Sequence, residues 1–432
     1  MTSYREIAVS LIWSLFLVLC FQMTLNAQNG NREESGGYLE GELLDRARKF
    51  ATEEYNRAVK FGAEAREIQP PSNRKSYYIR MHEALEGAVQ LFEAMEEKPE
   101  AYQQIPVLVT KLWAEEYNAG VEILTDEEVR HTAEIPAERA KAHLENAITI
   151  QPDSAITYVA LSSLLLRQFE DTTGAITAYE QALARMEQPE TGDFTELLEL
   201  YFMQNRYEEV IHRARDAREV YPKEVTFIQY LADAYLQLGE SESVMTLIRE
   251  LIEKEPDNPR YYFILGSLSH ELSLQFHEEA RTARQRIERL EDRLQPSDDF
   301  ERRDLRQRID SLRVEAEKKE KEEERLLETA MKELAIAGEL DPENEEVFRR
   351  LGVMYQNKAV EFFEMRDNAK GQAQAMGYDE RAITTLTLAM ENYEKAAGLN
   401  PGNVKYWEIL SGIYSELGMI RKAEQALDKI ED

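Results

Sequence analysis

Histidines and carboxylates are the residues of this chain that metal binding or acid–base chemistry would need. Six histidines are spread along its 432 residues. Only His270 and His277 share a predicted helix face, with Glu271 and Glu278 beside them. Their separation is two helical turns, about 10 Å, which is a long reach for one metal ion, and the HExxH pattern is missing. An ordinary helix surface explains this pair better than a metal site.

Motifs for nucleophilic catalysis or phosphate binding are also missing. The sequence has no GxSxG and no glycine-rich phosphate loop, and its one cysteine, Cys20, falls in an apolar N-terminal stretch. Paired carboxylates are frequent, but with 83 acidic and 52 basic residues most of them are expected on solvated faces. We therefore predict no catalytic residue, no metal and no cofactor. An enzyme whose site lies between long helical hairpins is the less favoured alternative.

The charge balance limits the possible partners. A net charge of −31 repels phosphate backbones and anionic lipid headgroups, so nucleic acid is not expected as a partner. The hydrophobic content of 43% is enough for a real core. The acidity fits either solubility in a salty medium or attraction to basic partners.

The first 27 residues have the order of a secretory signal peptide. Arg5 precedes an apolar run from Ile7 to Phe21, and the small residue Ala27 offers a cleavage site. The run is also long enough for an uncleaved anchor, so residues 7–25 could tether the chain to a membrane. Residues 28–38 are predicted to be a disordered linker. The order of the first 27 residues favours export, and because the chain has no glycosylation sequon, we expect the destination to be a bacterial periplasm or cell envelope.

A periodic pattern of apolar and small residues runs through the rest of the chain. Near the C-terminus the pattern consists of Trp407, Leu410, Tyr414, Gly418, Ala423 and Leu427. Spacings of three to five residues predict two amphipathic helices with Gly418 between them. The pattern resembles the tetratricopeptide repeat family, whose repeats are pairs of antiparallel helices. The resemblance implies an all-α, right-handed α-solenoid.

The same pattern recurs upstream and gives about eight units. Degenerate repeats with elongated helices are predicted over 39–154, regular repeats over 155–258, a repeat with an inserted hairpin over 259–344, and further repeats over 345–432. Turns of the type QPDS, EPDN, DPEN and NPGN separate units, with a polar residue to cap the next helix. The residues assigned to packing between helices are Tyr158, Leu161, Tyr201, Tyr235, Gly266, Gly352, Tyr355, Trp407 and Tyr414.

Residues 286–309, RIERLEDRLQPSDDFERRDLRQRI, form the centre of the inserted hairpin. Apolar residues at coiled-coil spacing lie on both sides of Pro296 and predict an antiparallel coiled-coil arm over about 270–330. In this arm Leu290 should lie near Leu305, and Ile287 near Ile309. The stretch has seven arginines and seven acidic residues, which are expected to pair along the edges of the arm.

By resemblance, function in this family means binding a peptide or a partner protein in a concave groove lined by the first helix of each repeat. The positions carried over are Ile156, Val159, Ser163, Leu166, Thr195, Glu199, Phe202, Gln229, Asp233, Leu236, Arg260, Phe263 and Ser267. Apolar and acidic residues dominate this set, so apolar or basic segments should bind. We therefore predict a non-catalytic scaffold or adaptor of the bacterial cell envelope. A subunit of an envelope assembly or secretion complex, docking through its hairpins, is the alternative.

Overall fold

The computed structural model describes residues 41–132, 134–294 and 299–431, and every regular element in these ranges is a helix. The all-α prediction is therefore confirmed. The chain divides into two compact units, residues 1–205 (unit 1) and 206–432 (unit 2), which are described separately. The predicted signal peptide or anchor and the linker lie outside the described residues. Within the described ranges, no helix is both long and apolar enough to cross a membrane.

Unit 1 is a stack of helical pairs in its described part. Its helices are α1 (Glu42–Glu67), α2 (Lys75–Glu93), α3 (Glu100–Thr125), α4 (Glu127–Thr132), α5 (Pro136–Ile150), α6 (Ala155–Phe169), α7 (Thr172–Leu183) and α8 (Thr191–Met203). Helix α1 pairs with α2, α3 with α5, and α6 with α7, while α8 packs on α7. A short 3₁₀ helix, Pro71–Asn73, precedes α2.

Unit 2 also consists of helical pairs, several of them with longer helices. Its helices are α9 (Tyr207–Val220), α10 (Thr226–Gln237), α11 (Ser241–Lys254), α12 (Pro259–Leu294), α13 (Asp299–Leu340), α14 (Glu345–Asp367), α15 (Gln372–Leu399), α16 (Val404–Glu416) and α17 (Ile420–Glu431). The pairs are α10 with α11, α12 with α13, α14 with α15, and α16 with α17, and α9 packs on α10.

Proline-containing turns begin four of these helices, α6, α12, α14 and α16. In each turn the backbone N–H of the fourth residue donates to the carbonyl of the first, over 3.1–3.3 Å. These donors are Ser154, Asn258, Asn344 and Asn403. The proline fixes the backbone angle φ at the second position, and the next helix begins immediately after the fourth. The turns therefore set the register of the helical pairs.

The side-chain caps predicted for these turns are wrong at three of the four positions. Only Asn258 behaves as a cap, because its Oδ1 accepts the backbone N–H of Arg260 at 3.2 Å. The side chains of Ser154, Asn344 and Asn403 make no capping hydrogen bond. Since the backbone turn is closed without them, these side chains are available for other partners. The Ser154 hydroxyl accepts from the Thr157 hydroxyl at 2.9 Å.

The core of each pair lies where small residues of one helix meet large residues of another. Alanines 140, 175, 214, 330 and 389 are completely buried at these contacts. Of the assigned packing residues, Tyr201 and Tyr414 are buried side chains of the core. Tyr158, Leu161, Tyr235, Tyr355 and Trp407 are half-buried. A Cβ atom on Gly352 would stand 3.0 Å from the Tyr393 ring, so Gly352 is a point of close helix approach.

The arm of unit 2 is formed by α12 and α13, with 36 and 42 residues. Both helices run without interruption from the repeat into the arm, so the arm extends the two repeat helices and is not a separate insertion between them. Leu305, Ile309 and Ala316 on α13 are buried against α12. Leu290 and Leu312 line the same cleft. Leu312 lies about two helical turns along α13 from Leu305, the residue predicted to lie near Leu290.

Candidate partner-binding site

An apolar groove in unit 1 lies between α3, α4 and α6, with a volume of about 370 Å³. Helix α6 contributes three of the predicted groove residues, Ile156, Val159 and Ser163, which lie on one face at helical spacing. The facing wall comes from α3 and consists of Tyr117, Val121 and Leu124. Ile156 is 53% exposed, which is high for a large aliphatic side chain in a groove. The groove therefore offers the apolar surface of two helices to a segment of a partner.

The α3 wall of this groove is held rigidly by aromatic stacking. The ring of Tyr117 stacks on Trp113, with centroids 5.2 Å apart and an interplanar angle of 15°. Trp113 Nε1 in turn donates a hydrogen bond of 2.9 Å to Thr157 Oγ1 on α6. Because Thr157 is fully buried beside Ile156, this bond fixes the distance between the two walls. The groove is preformed by these contacts.

The charged side chains of the groove are both basic. Arg130 of α4 and Arg167 of α6 lie among its lining residues, and none of those lining residues is acidic. Neither arginine forms an ion pair with a described residue. A ligand carboxylate would therefore meet two available guanidinium groups at the edge of an apolar surface. The preference for basic segments that Glu199 and Asp233 suggested does not extend to this groove.

The other predicted groove positions of unit 1 do not line it. Leu166 is half-buried, and Glu199 is exposed on α8. The Thr195 hydroxyl donates to the Gly192 carbonyl at 2.9 Å, so it is engaged within its own helix. Phe202 is half-buried. The structure thus concentrates the apolar groove on one repeat and its elongated neighbour.

The predicted positions of unit 2 form a mixed polar surface on α10 and α12. Gln229 Nε2 donates to the Tyr261 hydroxyl at 2.7 Å. Burial raises the pKa of Asp233, and the charge of Arg260 partly opposes this effect. The guanidinium of Arg350 stands 5.5 Å above the Phe263 ring. Leu236 is 41% exposed, while Ser267 has a buried hydroxyl without a hydrogen-bond partner in the described structure. Gln229 and Phe263 are thus engaged with residues outside the predicted set, while Asp233 interacts with Arg260.

A buried polar cluster around Glu116 was missed by the sequence analysis. Arg74 Nη1 and the Tyr78 hydroxyl donate to Glu116 Oε1 at 2.9 and 2.7 Å. His143 Nδ1 lies 2.7 Å from Oε2, and Asn146 Nδ2 donates to the same oxygen at 3.2 Å. Glu116 is 2% exposed. The carboxylate therefore connects the start of α2 with α3 and α5.

The environment of Glu116 keeps it ionised. Burial favours the neutral carboxyl, but hydrogen bonds from His143, Tyr78 and Arg74 outweigh burial and lower the pKa of Glu116 to about 2. Burial and the neighbouring carboxylate raise the pKa of Tyr78, so it stays a hydrogen-bond donor. These groups are all buried. The cluster holds α2, α3 and α5 together through buried hydrogen bonds.

One sequence signal pointed to this cluster. The heptapeptides EEYNRAV (53–59) and EEYNAGV (115–121) repeat, and their second glutamates, Glu54 and Glu116, are both buried. A glutamate that occurs at the same position of two similar segments, among residues that pack, is better explained as a buried residue than as part of a solvated surface. Glu54 forms its ion pair with Arg57, and burial raises its pKa.

His270 and His277, the histidine pair on one face of α12, have separate surroundings. His277 Nδ1 lies 2.8 Å from Glu323 on α13, while His270 is half-buried, and burial and Arg350 lower its pKa. Within the described residues, no group of three or more histidine, cysteine, aspartate or glutamate side chains is arranged to hold a metal ion.

Comparison with known families identifies the repeat. The family model described as Tetratricopeptide repeat matches residues 201–267. Residues 201–267 therefore belong to the tetratricopeptide repeat family, whose repeats are interaction modules that bind peptide or protein partners. No curated protein matches the sequence.

Similar solved structures include several repeat proteins. The crystal structure of YrrB, described as a TPR protein with an unusual peptide-binding site, is 14% identical, with 62% of this chain and 96% of that chain covered and a TM-score of 0.35. PilF of Pseudomonas aeruginosa is 16% identical, with 70% and 99% covered and a TM-score of 0.31. MamA is 14% identical, with 56% and 94% covered and a TM-score of 0.30.

Proposed function

We propose that this chain is a non-catalytic protein–protein interaction scaffold or adaptor, and that the groove between α3, α4 and α6 receives a segment of its partner. The observation that carries the proposal is the preformed apolar groove, in which Ile156 and Val159 face Tyr117 and Leu124. A segment that buries apolar side chains there gains about 25 cal/mol for each Å² removed from water. Adaptor function requires no further chemistry from the chain.

The partner segment should be apolar and carry at least one carboxylate. The apolar walls supply affinity, while Arg130 and Arg167 at the edge select an acidic group. A basic segment would place like charges beside these arginines and bind more weakly. Binding should therefore weaken with rising salt by only a modest amount, because apolar burial dominates.

A peptide-display selection on the immobilised full chain tests this proposal. Peptides that are apolar and acidic should be enriched, and Ile156→Glu should weaken binding of the selected peptide, measured by fluorescence anisotropy, by about tenfold or more. Val107→Glu is the matched control, because Val107 is a similarly exposed aliphatic residue (58%) on α3 that does not line the groove. Equal loss in both variants, or enrichment of basic peptides, would count against the groove.

We further propose export to a bacterial cell envelope. The support is the order of charged, apolar and small residues in the first 27 positions and the single cysteine within them. Protease accessibility of the chain in spheroplasts tests the location, and N-terminal sequencing distinguishes cleavage near Ala27 from a retained tether at residues 7–25. A chain protected from external protease in intact spheroplasts would refute export.

Docking into an envelope assembly or secretion complex through the hairpins is the second candidate. It is favoured by exposed apolar side chains on the α14–α15 hairpin: Val360 is 50% exposed, Met365 44% and Met376 66%. Replacing Met365 and Met376 with serine should release the chain from such a complex while peptide binding to the groove is kept. An unchanged complex would remove this candidate.

A further inference from the structure

One face of the arm carries two adjoining clefts of opposite charge. The cleft nearer the tip has a volume of about 610 Å³ and is lined by Arg286, Arg289, Arg293 and Arg308, with Leu290 and Leu312 as its apolar floor. Arg308 bonds to Asp304 at 3.0 Å. Arg286 and Arg289 form no ion pair with a described residue. The pairing predicted for all seven arginines is thus incomplete on this face.

The second cleft is nearer the repeat and has a volume of about 450 Å³. Three glutamates, Glu278, Glu279 and Glu315, line it together with Arg286. Lys319 forms an ion pair with Glu279, and Glu278 bonds to Arg281. The two clefts share Arg286 and Leu312, so they form one continuous surface that changes from acidic to basic along the arm.

The opposite face of the arm has its charges paired between the two helices. Arg284 Nε donates to Glu320 at 2.8 Å, and Arg313 Nη2 donates to Glu291 at 2.6 Å. His277 also contacts Glu323. Exposed pairs of this kind contribute little to stability, but they leave few charges for a partner. The unpaired arginines therefore distinguish the two-cleft face.

We propose that the two-cleft face of the arm binds the same face of a second copy of this chain, with the two arms antiparallel. In that arrangement the basic cleft of each copy meets the acidic cleft of the other, and the two-fold axis passes near Ala283, which lies midway along α12 between Glu278 and Arg289. This contact is made twice because the interface is symmetric. An isologous pairing uses the same surface on both copies. A face that carries both a basic and an acidic cleft is complementary to itself in such a pairing.

The size of the face determines the strength of the dimer. Residues 275–294 of α12 span about 30 Å, and two helices side by side are about 20 Å wide. Each copy would bury roughly 600 Å², or about 1,200 Å² in total, which is the lower end of specific interfaces. The dimer is therefore weak and sensitive to salt, since its polar contacts are at the surface.

Sedimentation equilibrium of the full chain at low and high salt tests the proposal. The wild type should dimerise at low salt, and raising the salt to about 0.5 M should raise the dissociation constant by about tenfold or more. Arg289→Glu and Glu278→Arg should each be monomeric, because each places like charges together at both contacts. An equimolar mixture of the two variants should form a heterodimer, because both contacts then join opposite charges.

Lys321→Glu is the control, because it makes the same charge change at an exposed residue of α13 outside both clefts. It should dimerise like the wild type. A wild type that stays monomeric at low salt overturns the proposal, as does a mixture that stays monomeric while Lys321→Glu dimerises. A monomer whose arm binds poly-L-glutamate, with loss of that binding in Arg289→Glu, would assign the basic cleft to an acidic partner instead and would also overturn it.

Discussion

Gly266 on α12 and Leu334 on α13 lie so close that a Cβ atom on the glycine would stand 2.7 Å from the leucine Cγ. The same added Cβ atom would also stand 3.1 Å from the backbone oxygen of Ala330 and 3.1 Å from the backbone nitrogen of Leu334. Since backbone atoms cannot move aside as a flexible side chain can, the helices themselves would have to separate. This contact brings together two residues that are far apart in sequence and joins the two longest helices at the base of the arm.

Substituting Gly266 should therefore destabilise unit 2. We expect Gly266→Ala to lower the free energy of unfolding by about 1–3 kcal/mol through overpacking, measured by denaturant titration. Gly412→Ala on α16 is the matched control, because a Cβ atom there meets nothing within 4 Å. That change should be stabilising by about 0.5–1 kcal/mol, since alanine favours a helix interior. Equal effects in both variants would contradict the assigned contact.

Acid should weaken unit 1 through Glu116. Its pKa is lowered from 4.5 to about 2 in the folded chain, so its contribution to stability is complete above pH 4.5 and is lost as the pH falls toward 2. The shift corresponds to about 3 kcal/mol. Unfolding followed between pH 6 and pH 2.5 should show this loss in the wild type. Glu115, which is half-exposed and paired with Arg66, provides a comparison.

Glu116→Gln should destabilise the chain strongly at neutral pH. The substitution removes the negative charge that faces Arg74, and a buried guanidinium without its carboxylate costs about 3–5 kcal/mol. Glu115→Gln, at the neighbouring but half-exposed position, should cost less than about 1 kcal/mol. The difference between the two variants should shrink as the pH approaches 2, where the wild type itself loses the charge. A difference that is independent of pH would argue against an ionised Glu116.

The arm should depend on its buried aliphatic residues. Ile309 is 3% exposed on α13, so Ile309→Ala should cost about 2–4 kcal/mol by leaving a cavity. Val314→Ala is the control, because Val314 is 68% exposed on the same helix. Hydrogen exchange over residues 276–324 measures the effect locally. Faster exchange in both variants, or in neither, would mean that α12 and α13 do not pack through Ile309.

The helical pairs were predictable because their boundaries are encoded locally. Each turn combines a proline with a polar fourth residue, and the helix starts next to it irrespective of what precedes the turn. The contact between Gly266 and Leu334 was predictable for a related reason. The small and large residues of the repeat pattern keep their spacing within each helix, even where the two helices of the pair are lengthened. The cap bonds of Ser154, Asn344 and Asn403 were mispredicted, because the closed backbone turn leaves those side chains without that role.

The groove was predictable on one wall only. Ile156, Val159 and Ser163 lie in a regular repeat, in which positions can be counted. Tyr117, Val121 and Leu124 lie on the elongated α3, where the pattern is too degenerate to assign a face. The Glu116 cluster escaped prediction because its partners are 27 to 42 residues away along the chain, and no local pattern links them.

The hydrogen bonds of Glu116 limit how far the chain can be shortened from its N-terminal side. Helical repeat proteins usually tolerate trimming from an end, because each repeat contacts only its neighbours. Here Arg74 and Tyr78 come from the first pair, while Tyr117, one residue after Glu116, forms the groove. A fragment that starts after Tyr78 would keep every groove residue, but the buried Glu116 would lose its bonds to Arg74 and Tyr78 and retain only those to His143 and Asn146. A fragment designed to bind through the groove should therefore include Arg74 and Tyr78, so recognition depends on α2 as well as on the helices that line the groove.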